Sequence, residues 1–213
     1  MVCAPCGSLN LLNFLNFLNF STYFYLKTTA MQAKPVSFSR TTITELMIPA
    51  YANFGGKIHG GILLSLMDKV AYACAAKHAG AYVVTVSVDG VNFREPVSVG
   101  ELVSMHASVN YVGRTSLVVG IRVESENVIS GENKHTNTSY FTMVAKDMEG
   151  KLCEVPPLEL ENEEDVRRCL EAIKRKRLKA AFSDEFDNEK NRLDLAENVH
   201  LLKNERVVFE SKK

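Results

Sequence analysis

The stretch from Gly60 to Ala79 constrains the fold more than any other. Ile62, Leu63, Leu64, Leu66, Met67, Val70, Ala71, Ala73, Cys74, Ala75 and Ala76 leave it apolar on nearly every side. A helix that is apolar all round is a buried one, so the rest of the domain has to wrap it. The chain beyond it is β-rich: Tyr82 to Phe93, Leu102 to Val112, Ser116 to Glu124 and His135 to Lys146, punctuated by Gly90, Gly100, Gly113 and Gly131. Ahead of the helix, Ser37 to Ile48 alternates as a strand does, and Tyr51 to Lys57 (YANFGGK) reads as a glycine-containing turn. Hairpin-like spacing implies a mostly antiparallel sheet around one long helix, an α+β architecture.

At about 150 residues per domain, a chain of 213 residues holds one domain with extensions. The domain is expected over 36–158, after a leader (1–35) and before a charged helix (159–181) and a polar tail (182–213). The leader carries no charge before Lys27, and Asn10, Asn13, Asn16 and Asn19 recur within LNLLNFLNFLNF. Leu9 to Leu26 is almost long enough to span a membrane, but four asparagines would each bring an amide into hydrocarbon. The positive region of a secretory signal and the arginines of a mitochondrial one are both missing. The expectation is an unstructured leader, or an upstream start with Met31 as the working initiator. In the charged helix, acidic residues crowd the first turn and Lys174 to Lys179 the last, which complements the helix dipole. Val166, Cys169, Leu170 and Ile173 form a narrow apolar stripe suited to docking.

Lys plus Arg number 25 and Asp plus Glu 25, so no chain-wide basic field exists to attract nucleic acid. Five scattered cysteines are not a disulfide framework and suit a reducing, cytoplasmic compartment. Cys3 and Cys6 form a C-x-x-C with no second pair and no nearby His, so neither a metal nor a redox site is expected.

Two features carry chemistry. Asp68 lies in the apolar helix, where burial should push its pKa upward unless it is paired. It is either a structural carboxylate, paired with Lys69, capping a partner or set at an exposed edge, or a general base or nucleophile. Gly60 and Gly61 open the same helix, where amide groups lack intrahelical partners and the dipole is positive, a place for a developing oxyanion. His59 has no companion at metal-ligand spacing and reads as positional.

The segments PAYANFGGKIHGGILLSLMDKVAYACAAKHAG (49–80), VTVSVDGVNFREPVSVGELV (84–103) and YVGRTSLVV (111–119) together resemble the hotdog-fold acyl-CoA thioesterases. The likeness falls in the branch of bacterial short acyl-CoA hydrolases and the cytosolic brain-type hydrolase. It implies a single hotdog that pairs into a double hotdog, with a trimer of such dimers common in this branch. It also implies that Asn53 and Asp68 are the catalytic pair and that Arg114, Thr115 and Ser116 contact coenzyme A. The substrate would be an acyl-CoA, no cofactor or metal would be needed, and neither nucleic acid nor membrane would be a partner. A thioester carbonyl would rest against the Gly61 amide and Asn53 while Asp68 activates water or attacks directly. Lys174 to Lys179 is a further candidate for the coenzyme A phosphates. A hotdog hydratase would want a carboxylate five residues before its His, where Phe54 stands. The alternative function is a non-catalytic hotdog module that binds acyl-CoA as a sensor.

Overall fold

The computed structural model describes residues 31–208; the leader up to residue 30, with its C-x-x-C, lies outside them. The chain forms two compact units that divide after Glu161.

The first unit is built around helix α1, Gly60–Ala79. His59 caps its start with a side chain that accepts from the Gly61 N–H, and Gly80 ends it at φ 67°, a conformation that favours glycine. Five strands form the sheet that packs on it: β1 (Thr41–Leu46), β2 (Tyr82–Val88), β3 (Glu101–Val112), β4 (Ser116–Asn127) and β5 (Asn133–Lys146). They lie in the order β1-β3-β4-β5-β2, every pair antiparallel. The expected α+β hotdog is therefore the observed fold. The register shifts between Val109 and Tyr111, between Val123 and Glu124 and between Thr85 and Ser87. Such bulges bend strands, which lets the sheet curl over the helix. Met67, Val70 and Cys74 of α1 meet Met105, Ile121 and Phe141 of the sheet in one core.

Three features differ from expectation. The first strand starts at Thr41, because Val36–Ser39 makes one helical turn whose buried Ser39 hydroxyl donates to the Val36 carbonyl. Strand β2 ends at Val88, and the next residues continue beside β5 on isolated bonds from the Asp89 N–H to Tyr140 O and from the Arg94 N–H to Thr136 O. The third is α1 itself. Leu64, Ser65, Asp68, Lys69 and Tyr72 are exposed, so the helix is wrapped on one side only.

The second unit holds helix α2, Glu163–Asn191, capped by Asn162, whose side-chain oxygen accepts from the Asp165 N–H. It runs on to Asn191, into the stretch expected as polar tail, and short helical turns follow at Leu195–Asn198 and Val199–Asn204. Of its apolar stripe, Val166 and Leu170 are exposed. Among the described residues no helix is long and apolar enough to cross a membrane.

Candidate active site

Asn53 sits in the turn before α1. Its backbone N–H donates to Lys57 O at 2.7 Å, and its side-chain oxygen accepts from the N–H groups of Gly55 (2.9 Å) and Lys57 (3.2 Å). Gly56 takes φ 74° to close the turn. With the amide oxygen committed to its own loop, the group Asn53 has left to offer is its NH2, a hydrogen-bond donor.

The helix start departs from expectation. The Gly61 N–H donates to His59 Nδ1 at 3.0 Å, so that amide serves the cap and is not open to a substrate carbonyl. The Gly60 N–H, one position earlier, carries no such bond among the described residues. His59 Nδ1 is engaged as the helix cap. A side chain at Gly60 would meet the Phe93 ring at 3.1 Å, so glycine there keeps the helix start uncrowded.

Asp68 is exposed rather than buried, because the open side of α1 is the side it occupies. It is paired nonetheless: the Thr85 hydroxyl donates to Asp68 Oδ1 at 2.6 Å across the gap between α1 and β2. Thr85 escaped sequence reasoning, since one threonine within VVTVSV gives no local signal, and only the packing of α1 beside β2 selects it. Leu64 and Tyr72, 37% and 43% exposed, flank Asp68 one turn away on either side, and Tyr72 packs near Tyr82 at 6.2 Å between ring centres. Strand β2 lies at the edge of the sheet, and Leu64 and Tyr72 set apolar surface on either side of the carboxylate.

The remaining residues stand apart. Arg114 and Thr115 make the turn between β3 and β4, closed by the Gly113 N–H donating to Ser116 O at 2.8 Å. Val112 pairs with Leu117, Ser116 with Val144 and Tyr82 with Lys146, which puts this turn at the end of the sheet where α1 finishes. Asn53 and Gly60 lie at the opposite end, where the Ile58 N–H bonds Val97 O just before β3 begins. A helix of 20 residues is about 30 Å long, so one subunit does not gather all these groups in one place. Arg114 is exposed, with Glu154 as an ionic neighbour at 3.8 Å. Among the described residues no three His, Cys, Asp or Glu side chains converge as a metal cage would require.

Residues 55–131 match the thioesterase superfamily. Over 141 residues the chain is 45% identical to protein VdlD of Helicobacter pylori, covering 66% of this chain and 80% of that one. It is 32% identical over 159 residues to YkhA of Bacillus subtilis, described as an uncharacterized acyl-CoA thioester hydrolase, covering 71% of this chain and 92% of that one. The chain belongs to the hotdog acyl-CoA thioesterases. Among solved structures, an apo-hexameric acyl-CoA thioesterase is 39% identical with a TM-score of 0.70, over 72% of this chain and 98% of its own. An acyl-CoA hydrolase from Staphylococcus aureus, solved with butyryl coenzyme A, coenzyme A and coenzyme A disulfide, is 30% identical with a TM-score of 0.68, over 75% and 98%. That enzyme has also been characterised with single alanine replacements of an Asn, an Asp and a Thr, spaced 15 and then 17 residues apart. Asn53, Asp68 and Thr85 succeed one another at the same two intervals.

Proposed function

We propose that this enzyme hydrolyses acyl-CoA thioesters to a free fatty acid and coenzyme A at a site shared between two subunits. The observation that carries this reading is the Thr85–Asp68 pair on the open face of α1, eight residues from the helix start. In a homodimer the open faces of two α1 helices cover each other, and Asp68 of one subunit comes beside Asn53 and Gly60 of its partner. The thioester carbonyl accepts from the Asn53 NH2 and the Gly60 N–H, where the dipole favours the charge that develops on oxygen. Asp68 takes a proton from water as it attacks the carbonyl carbon, or attacks directly to give a transient anhydride that water then opens. Thr85 holds the carboxylate by its hydroxyl and so orients the other oxygen. Breakdown of the tetrahedral adduct expels the coenzyme A thiolate.

Coenzyme A enters as part of the substrate, and the chemistry needs no bound cofactor or metal. Arg114, Thr115 and Ser116 are the groups suited to its phosphates, and the cations from Lys174 to Lys179 are a second candidate. Three such dimers form the working assembly, in keeping with hexameric relatives, and the cytoplasm suits its free thiols. The test is thiol release from a panel of acyl-CoA chain lengths by the purified chain. Turnover with at least one chain length is expected. Tight acyl-CoA binding with no thiol released would replace the hydrolase by a sensing module.

A further inference from the structure

Helix α2 carries a second apolar stripe beyond the one near its start. Leu178, Phe182 and Phe186 recur every four residues, 70%, 69% and 56% exposed. At 100° per residue they fall in an arc of about 80°. Phe182 and Phe186 stack with ring centres 6.0 Å apart, so the stripe is already an aromatic ledge.

The charges on either side of Phe182 are opposite in sign. Five cations stand between Lys174 and Lys179, and four carboxylates between Asp184 and Glu189. The pattern is close to a palindrome in chemistry: Leu178 and Phe186 lie four residues from Phe182 in the two directions, with cations beyond the one and carboxylates beside the other. Parallel pairing of two such helices would set like charges together, which is destabilising. A two-fold axis through Phe182 sets each basic block against the other's acidic block and each leucine against a phenylalanine. A self-complementary patch of this kind is what an isologous contact requires.

We propose that α2 is an association surface whose partner is the α2 helix of a second copy of this chain, antiparallel and centred on Phe182. It is separate from the subunit contact proposed for catalysis. The complementarity in charge and in apolar spacing chooses a second copy over an unrelated apolar partner.

The test uses the full chain with single cysteines on the stripe and a short bis-maleimide linker, read by peptide mass spectrometry. The unsubstituted chain, treated identically, accounts for its own five cysteines. Phe182→Cys should give 182–182 links well above that background. A mixture of Leu178→Cys and Phe186→Cys chains, unfolded and refolded together, should give 178–186 links and few 178–178 links. Link yield should fall severalfold in high salt, since the charged residues of both blocks, the half-buried Arg175 apart, are solvent-exposed. Equal yields of 178–178 and 182–182 links would mean parallel pairing and overturn the proposal. Links from position 182 to Cys3 or Cys6 would assign the stripe to the leader, and no links above background would leave α2 unpaired; either overturns it. Circular dichroism checks that each variant keeps its helix, and the mixed pair answers independently should Phe182→Cys weaken the contact.

Discussion

Among single residues, the proposed hydrolysis turns on how a carboxylate is held. Asp68 in isolation reads as an anomaly in an apolar helix; with Thr85 donating at 2.6 Å it becomes an oriented group on an exposed face. Asp68→Ala should lower kcat by about 10²–10⁴, the range for a general base, while coenzyme A binding by calorimetry stays within a fewfold. Wild-type turnover in that variant would remove Asp68 from the mechanism. Thr85 is a positioning residue in this scheme, and a hydrogen bond to a charged group is worth about 1.5–3 kcal/mol. Thr85→Ala should therefore cost about tenfold to a hundredfold in kcat with little change in KM. Thr85→Ser, which keeps the hydroxyl, should recover most of the rate. Equal loss in both variants would point to packing against Met143, whose sulfur lies 3.2 Å from the Thr85 hydroxyl.

As an element, α1 is held at both ends by side chains that sequence patterns mark only faintly. His59 stands where a Ser, Thr, Asp or Asn usually would and does their work with a ring nitrogen. His59→Ala should destabilise the fold by about 1 kcal/mol, read from urea unfolding, and free the Gly61 N–H. At the other end His78 is fully buried, with Nε2 3.0 Å from Pro156 O, and Lys34 Nζ donates to the His78 carbonyl at 2.7 Å. Burial holds the His78 pKa below its ordinary value, and the Lys34 charge adds to this, against the bond to Pro156. As pH falls through about 6.5 the unfolded chain takes up the proton first, so the stability His78 contributes is present above that pH and lost below it. Wild-type protein should lose more stability than His78→Gln between about pH 7.5 and 5.5. Parallel pH profiles for the two would assign the acid sensitivity elsewhere.

For the molecule entire, distance along α1 is the reason to expect a dimer. Gly60 and Asp68 are separated by roughly 12 Å along the helix axis, too far for one carbonyl to touch both. Asn53→Ala and Asp68→Ala chains, each inactive, should recover about a quarter of wild-type sites when unfolded and refolded together in equal amounts. Half the dimers are then mixed, and each mixed dimer carries one intact site and one doubly altered site. Activity no higher than that of the separate variants, with mixed dimers confirmed by mass, would return both residues to one subunit. A chain beginning at Met31 should fold and hydrolyse acyl-CoA as the full chain does; a large loss of soluble protein would give the leader a structural task.

Patterns along the chain were enough to place the central helix to its end residues, the β-rich wrap and the candidate Asp68, while Asn53 was marked by the family resemblance of residues 49–80. Apolar periodicity and short motifs are local properties, written wherever the chain must bury one side or approach a ligand closely. Folding in three dimensions settled which face of α1 stays open, that Thr85 answers Asp68, and that the Gly61 amide belongs to His59. It also carried α2 on to Asn191, where a polar composition had suggested a tail. Each of these depends on partners distant in sequence or on the particular neighbour a donor meets, and a pattern along the chain records neither. The open face is the sharpest case: the composition of α1 calls for burial nearly all round, and the sheet leaves bare the side that carries Ser65, Asp68 and Lys69, the side proposed to meet a second subunit.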